Sequence, residues 1–600
     1  MAQAITRYRD TSYPLSTLVA EIERGAIALP ELQRPFVWSS TQVRNLFDSL
    51  YRGFPVGQIM FWETGADGRA RQVGVGGKTT APRLMLVDGQ QRLTGLYAVI
   101  TGREVLDDEY RTRRIRLAFR PRDGSFAVAT VATDRDPEYL DDVTELLAPG
   151  ASTLRVVQRF LRRLDDAYDA VSEEEADALA SSLDRLSALG QVSLSAVELD
   201  AAADEEEVAD IFVRINSEGT SLDQGDFLLT LMSVWLPERR RELDEFARHA
   251  RITPEDGRPS PFNHHFRPQP DLLLRVAASV AFRRGRLKTV YQLLRGKDLE
   301  TSEIRDELRE QRLGELTAAQ DDALNLHHWH EFLRALETAG FRSSRQIGSE
   351  LAISVAYALW LIGRQQQVPP RLAENLIARW FLMSQMTGRY SGSAETRIEQ
   401  DLRLVTEAGG ATGWVEALEG TLSLEMSEDF FAQRLPEALD ARSWRNRALA
   451  GYDAALVILD APALFSPTNE RVRSRLDPSV VSVRGVERHH LFPRTYLSRL
   501  YGVTGQRLNS IANRPANAAW VDWIENTDIS GAAPAEYWEQ HIQRLNSDQV
   551  DEQMRLHALP EGWHQMSYEK FLDARRPLIA DVVRDAYRKL VSQQPQPPQS

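Results

Sequence analysis

The period of the apolar residues changes once along this chain, and that change limits its architecture more than any other feature. Up to about residue 225, short β-like runs alternate with helical stripes. Val43, Leu46, Phe47 and Leu50 fall at i, i+3, i+4 and i+7, as do Leu93, Leu96, Tyr97 and Ile100, and again Val208, Ile211, Phe212 and Ile215. That spacing marks one buried helical face. Between them, Gln58–Trp62, Leu84–Val87, Ile115–Phe119 and Val192–Val197 read as strands. From Phe227 to about Ala432 the strand signals fade, and runs such as Asp271–Phe282, Leu351–Ile362 and Leu372–Met383 predict helices. A chain of 600 residues also exceeds what one hydrophobic core serves. The expectation is a multidomain α+β protein: an α/β domain over 1–226, a helical middle domain over 227–432, a compact C-terminal domain over 433–590 and a polar, Pro-rich unfolded tail over 591–600. The acidic, alanine-rich stretch Val171–Leu189 is expected as a solvated helix inside the first domain.

The longest apolar run, Leu351–Ile362, is interrupted by Ser354 and flanked by Glu350 and Arg364, too short for a bilayer span. The opening MAQAITRYRD has no apolar core of a signal peptide. Both point to a cytoplasmic protein with no membrane partner. The absence of cysteine excludes disulfides, thiol nucleophiles and Cys-rich zinc clusters, leaving His, Asn, Asp and Glu as metal ligands. A net charge of −14 argues against a protein that coats nucleic acid nonspecifically. Charge is nonetheless uneven: from Arg471 to Arg514 nine arginines face only Asp477 and Glu487.

That basic stretch contains GVERHHLFP (Gly485–Pro493), followed by LNSIANRPANAAW with Asn513 and WIENTDISGAAPAEYW with Asn526. Phosphodiester hydrolysis needs a base for the attacking water and a cation to neutralise charge at phosphorus. A histidine beside a metal supplies both. Two adjacent histidines alone are as readily a pair of satisfied, partly buried side chains. Together with both asparagines and the arginines, the segment resembles the HNH, or His-Me finger, nucleases, whose module is a ββα-metal fold. The resemblance implies His490 as general base, His489 and Asn526 as ligands of a divalent metal (Mg²⁺ or Mn²⁺), Glu487 as a further acidic ligand, and Asn513 as the residue holding the loop that orients His490. Many relatives have Asp where this chain has His489, a softer ligand. Neighbours on a strand face opposite ways, so His489 and His490 share a metal site only if the backbone twists there.

Near the N-terminus, LPELQRPFVW (Leu29–Trp38) and LMLVDGQQRLTGLYAVITG (Leu84–Gly102) stand out. The second predicts strand, tight turn and helix, aiming the N–H groups of Gly89–Arg92 beyond the strand end, where anions are favoured. An ordinary helix start with a surface arginine fits the same residues. With SLYRGFPVGQIMFWE (Ser49–Glu63) and IFVRINSEGTSLDQGDFLLT (Ile211–Thr230), these motifs resemble the N-terminal domain of the GmrSD-type restriction family, related to the ParB/sulfiredoxin-like fold. In that family the domain binds or hydrolyses nucleoside triphosphates and precedes an HNH domain. By that likeness Gln33, Arg34, Asp88, Gly89, Gln90, Gln91 and Arg92 line a nucleotide site, with Arg214 and Asn216 nearby. Ser221 and Gln224 have capping-box spacing, a structural role. Gly77-Lys78-Thr79 ends like a Walker A loop but lacks its first glycine, and His327–Phe332 (HHWHEF) lacks an HExxH pattern.

The resemblance implies a modification-dependent DNA endonuclease of antiphage defence, with an NTPase domain regulating an HNH nuclease. Its partners would be modified DNA and a nucleoside triphosphate, with a homo-oligomer admitted. GmrSD-type relatives act on glucosylated hydroxymethylcytosine, and relatives of the Ssp type sense phosphorothioate. Two other classes compete: a ParB-like DNA-binding regulator with an inactive nuclease domain, and a nucleotide-hydrolysing toxin.

Overall fold

The computed structural model describes residues 8–28, 36, 38–63, 83–107, 110–168, 171–201, 208, 224–255, 257–479, 486–522, 529 and 531–595. The chain divides into two compact units, Met1–Pro237 and Glu238–Ser600. Among the described residues no helix is long and apolar enough to cross a membrane.

In the first unit the elements that build the core are β1 (Tyr8–Pro14), α1 (Leu15–Arg24), β2 (Ile27–Ala28), α2 (Ser40–Arg52), β3 (Ile59–Glu63), β4 (Leu84–Asp88), α3 (Gln90–Thr101), α4 (Glu173–Ser187) and β5 (Ser193–Leu199). The five strands form one mixed sheet in the order β1-β5-β3-β4-β2. β5 runs antiparallel to β1 and parallel to β3, while β4 is antiparallel to β3 and parallel to β2. Of the expected strand Ile115–Phe119, the part from Leu117 on forms a strand, Leu117–Arg120, that pairs with Ser125–Val128 in a separate hairpin.

Helix α2 starts where Ser39 and Gln42 form a reciprocal capping box and stops at Gly53, whose φ of 76° is easy only for glycine. It buries Val43, Leu46, Phe47 and Leu50, the stripe its sequence predicts. α3 differs from expectation: all eight residues from Leu93 to Ile100 are buried, rather than a single stripe. The cause is packing on two flanks, by α2 and by the helical turn Thr144–Leu147. A side chain at Gly95 would meet Phe36 and Val43 at 3.3–3.4 Å, so this glycine permits the close approach of α2. α4 corrects another expectation, since Leu179, Leu183 and Leu186 enter the core and only its opposite face is solvated. Of the predicted stripe Val208–Ile215, all but Val208 lies outside the described residues.

In the second unit the expected helices form. α5 (Glu350–Gln365) buries every residue from Ala352 to Gly363, and α6 (Pro370–Thr387) is nearly as enclosed. There follow α7 (Arg447–Ile458), β6 (Val486–His490), α8 (Arg494–Tyr501), α9 (Gly505–Ala512), β7 (Ala518–Asp522), α10 (Pro534–Ile542) and α11 (Tyr568–Ser592). α11 packs along α7, and Asn375 of α6 donates to the Leu590 carbonyl at 2.8 Å. The C-terminal strands and the middle helices thus share one compact unit. α11 carries helix through Ser592, two residues into the segment expected as unfolded tail.

Candidate active site

β6 and β7 make a two-stranded antiparallel ribbon with His490 opposite Ala518, His489 opposite Ala519 and Arg488 opposite Trp520. The register is regular, so residues two apart share a face. Arg488 and His490 accordingly both meet Trp444: the guanidinium carbon of Arg488 lies 5.8 Å from that ring, and the imidazole of His490 lies 4.2 Å from it at 30°. By strand alternation His489 starts on the other face of the ribbon from His490.

Three buried groups fix the end of β6. Asn517, fully buried, accepts from the Phe492 N–H at 2.8 Å and donates to the Phe492 and Ala512 carbonyls at 3.1 and 3.0 Å. The Tyr537 hydroxyl of α10 donates to the Leu491 carbonyl. Arg575 of α11, fully buried, donates to the carbonyls of Ala516, Ala518 and His557 at 2.7–3.2 Å. Burial among neutral acceptors pushes its pKa down.

The centre of the site is His490. Its Nε2 lies 2.9 Å from Asn513 Oδ1, at the C-terminal end of α9. With the amide oxygen as acceptor, Nε2 carries the ring proton and Nδ1 is the basic nitrogen. Burial pushes the imidazole pKa down to about 4; the bond to Asn513 opposes that and Arg494 adds to it. The ring is therefore neutral at pH 7. Trp444, which covers one face of it, is itself fixed by its indole N–H donating to the Arg514 carbonyl at 3.2 Å. Behind Arg488 lies Asp453, buried, which pairs with the guanidinium and accepts from the Trp520 indole at 2.8 Å. Burial raises the Asp453 pKa, outweighing both partners.

The structure thus brings His490 and Asn513 into direct contact; the sequence reading gave Asn513 only an indirect hold on the loop. Asn526 and the side chain of Glu487 lie outside the described residues. Among the described residues no three His, Asp or Glu side chains form a group able to hold a metal. Of the expected ligand set only the His489 side chain is among the described residues. Sequence reasoning missed Trp444, Asp453, Asn517 and Arg575. Only the first had a signal: Ser443-Trp444-Arg445-Asn446-Arg447 interleaves an aromatic with cations, as nucleic-acid surfaces do.

The N-terminal motif forms the predicted corner: β4 ends at Asp88, Gly89 turns with φ 88° and α3 begins at Gln90 with no side-chain cap. Arg92 is engaged within the protein, donating to the Val56 carbonyl at 2.8 Å and lying 3.3 Å from Asp88. Its guanidinium fills the space beside Gly57, where a Cβ would meet it at 2.3 Å. Gln91 accepts from the Trp38 N–H at 3.3 Å and Gln90 donates to the Leu86 carbonyl at 3.3 Å. Gln33, Arg34, Arg214, Asn216, Ser221 and Gly77–Thr79 lie outside the described residues. The HHWHEF run sits on the helix Leu326–Thr338 with Trp329 and Phe332 in the core, His328 3.1 Å from Arg364, and His327 and His330 exposed.

Residues 15–233 match the family described as the GmrSD restriction endonuclease, N-terminal domain. A curated relative, an uncharacterized protein of Methanocaldococcus jannaschii, is 30% identical over 95 residues, covering 14% of this chain and 16% of the relative. The chain thus spans about a sixth of the length of that relative.

Proposed function

We propose that this chain, which belongs to the GmrSD-type restriction endonuclease family through its residues 15–233, is a modification-dependent DNA endonuclease whose C-terminal residues hydrolyse the phosphodiester and whose N-terminal domain binds a nucleoside triphosphate. The observation that carries the nuclease reading is the 2.9 Å contact between His490 Nε2 and Asn513 Oδ1. It fixes one tautomer and leaves Nδ1 as the base for a water attacking phosphorus. The β6/β7 ribbon with histidines on its first strand and the asparagine in the connecting segment supports an HNH-type module. A divalent cation, Mg²⁺ or Mn²⁺, belongs to this reading; His489, Asn526 and Glu487 are its expected holders, and it would supply charge neutralisation at phosphorus.

For the N-terminal domain the support is the β4–α3 corner, where a helix with no side-chain cap starts directly after a strand, a kind of start that favours anions. Because Arg92 is tied to Asp88 and Val56, the backbone would hold the phosphates and Arg92 would set the corner's shape.

The test is to incubate purified wild type and His490→Ala with unmodified, glucosylated and phosphorothioated plasmids, with Mg²⁺ or Mn²⁺, and with or without nucleoside triphosphates. Wild type nicks or cuts one of the modified plasmids, and His490→Ala loses about a hundredfold or more of that rate, the scale of removing a general base. Equal cutting by the two proteins would sink the assignment. DNA retention without cleavage under every metal would favour an inactive, DNA-binding C-terminal domain.

A further inference from the structure

Beside the Trp444–His490 stack the second unit has two cavities, of about 500 and 570 Å³, which share Arg345, Trp444, Asp453 and Arg488 as a common wall. Arg445 and Arg447 also line the first, and Arg475 the second. Five arginines against two aspartates is a local excess of positive charge in a chain whose net charge is −14. One of those aspartates, Asp453, is already paired with Arg488 and bonded to Trp520.

The other four arginines differ from the carboxylate-paired arginines of this unit. Arg312, Arg334 and Arg364 each hold a glutamate within 3.1 Å. Arg345, Arg445 and Arg475 are exposed and have no carboxylate partner among the described residues, while Arg447 reaches only the Ser391 hydroxyl at 3.4 Å. Like charges gathered with only Asp477 as a further counter-charge repel one another, and a polyanion relieves that repulsion. Trp444 joins this trough to the reaction centre, because the ring that lines both cavities also packs on His490 at 4.2 Å.

We propose that the trough takes the phosphodiester backbone of the DNA strand leading to His490, with Arg345, Arg445 and Arg475 each on a phosphate. This rests on the nuclease reading above. It adds that residues 345 and 444–447, outside the histidine motif, position the substrate. Binding there draws on charge and releases counterions, so it does not depend on base sequence.

The experiment separates binding from cutting. Fluorescence anisotropy of a fluorescein-labelled 30-base-pair unmodified duplex is measured in EDTA over a range of KCl concentrations. The proteins are full-length His490→Ala, the same protein with Arg345→Gln, Arg445→Gln and Arg475→Gln, and a control with Arg371→Gln, Arg397→Gln and Arg403→Gln, which are exposed arginines outside the trough. The trough variant should bind at least about tenfold more weakly near 0.1 M salt. Its plot of log affinity against log salt should flatten by about 2–3, close to 0.9 for each lost phosphate contact. The control should stay within about twofold of its parent. The proposal is overturned by an unchanged affinity and slope in the trough variant, by an equal loss in the control, or by a parent that does not bind. Failure of the nuclease reading looks different: binding responds to the trough arginines, yet wild type and His490→Ala cut plasmid alike.

Discussion

Asn513 Oδ1 lies 2.9 Å from His490 Nε2, joining the end of α9 to the last residue of β6. A neutral imidazole has two tautomers, and only an acceptor at Nε2 keeps Nδ1 unprotonated. Asn513→Ala should therefore lower nicking by roughly ten- to hundredfold, the scale of losing a group that orients a histidine, with little change in DNA affinity. Asn513→Asp keeps an acceptor in place and should recover most of the rate. Plasmid nicking by the two variants, read beside anisotropy with the labelled duplex, checks this; equal rates for wild type and Asn513→Ala would remove Asn513 from the mechanism.

Arg575 carries the site's foundation. Its guanidinium holds the carbonyls of Ala516 and Ala518 at 2.7 and 2.9 Å, and Ala518 is the register partner of His490. Arg575→Met leaves buried carbonyls without donors, which costs about 3 kcal/mol or more on the usual scale for unsatisfied buried groups. Arg575→Lys recovers little, because an ammonium cannot fork to three carbonyls in a plane. Urea denaturation of the full chain should show both losses, Met at least as large as Lys. A midpoint for Arg575→Met within error of wild type would show that the clamp is dispensable.

Much of this was legible in the residues. The stripes Val43–Leu50 and Leu351–Ile362 became buried helices because apolar spacing dictates burial directly. The motif GVERHHLFP gave a strand ending in the two histidines. Three kinds of feature were hidden. α3 is buried on more than one side because of neighbours that its own period does not encode. The hairpin at Leu117–Arg120 left the main sheet because a local turn supplied a nearer partner. Arg575 and Asp453 look like any surface charge in the sequence, and only tertiary contacts from distant segments mark them as buried. Trp444 is a middle case, since its basic surroundings were visible but not its stacking on His490.

Acid should destabilise this protein before its carboxylates matter, and His557 supplies the reason. Its ring is fully buried, its Nε2 bonds to the Pro462 carbonyl at 2.8 Å, and burial pushes its pKa down to about 4. In the unfolded chain the same group titrates near 6.5. Between those values the unfolded state binds more protons, so stability rises with pH across the window. The contribution is complete above about pH 6.5 and is lost as pH falls toward about 4, about 3 kcal/mol in all. His490 and His564 shift in the same direction, so the fall is shared. His557→Gln removes one titrating group, and its urea midpoint should drop less than that of wild type between pH 7.5 and pH 5. If the two proteins lose stability in parallel over that range, His557 is not the group that senses the protons.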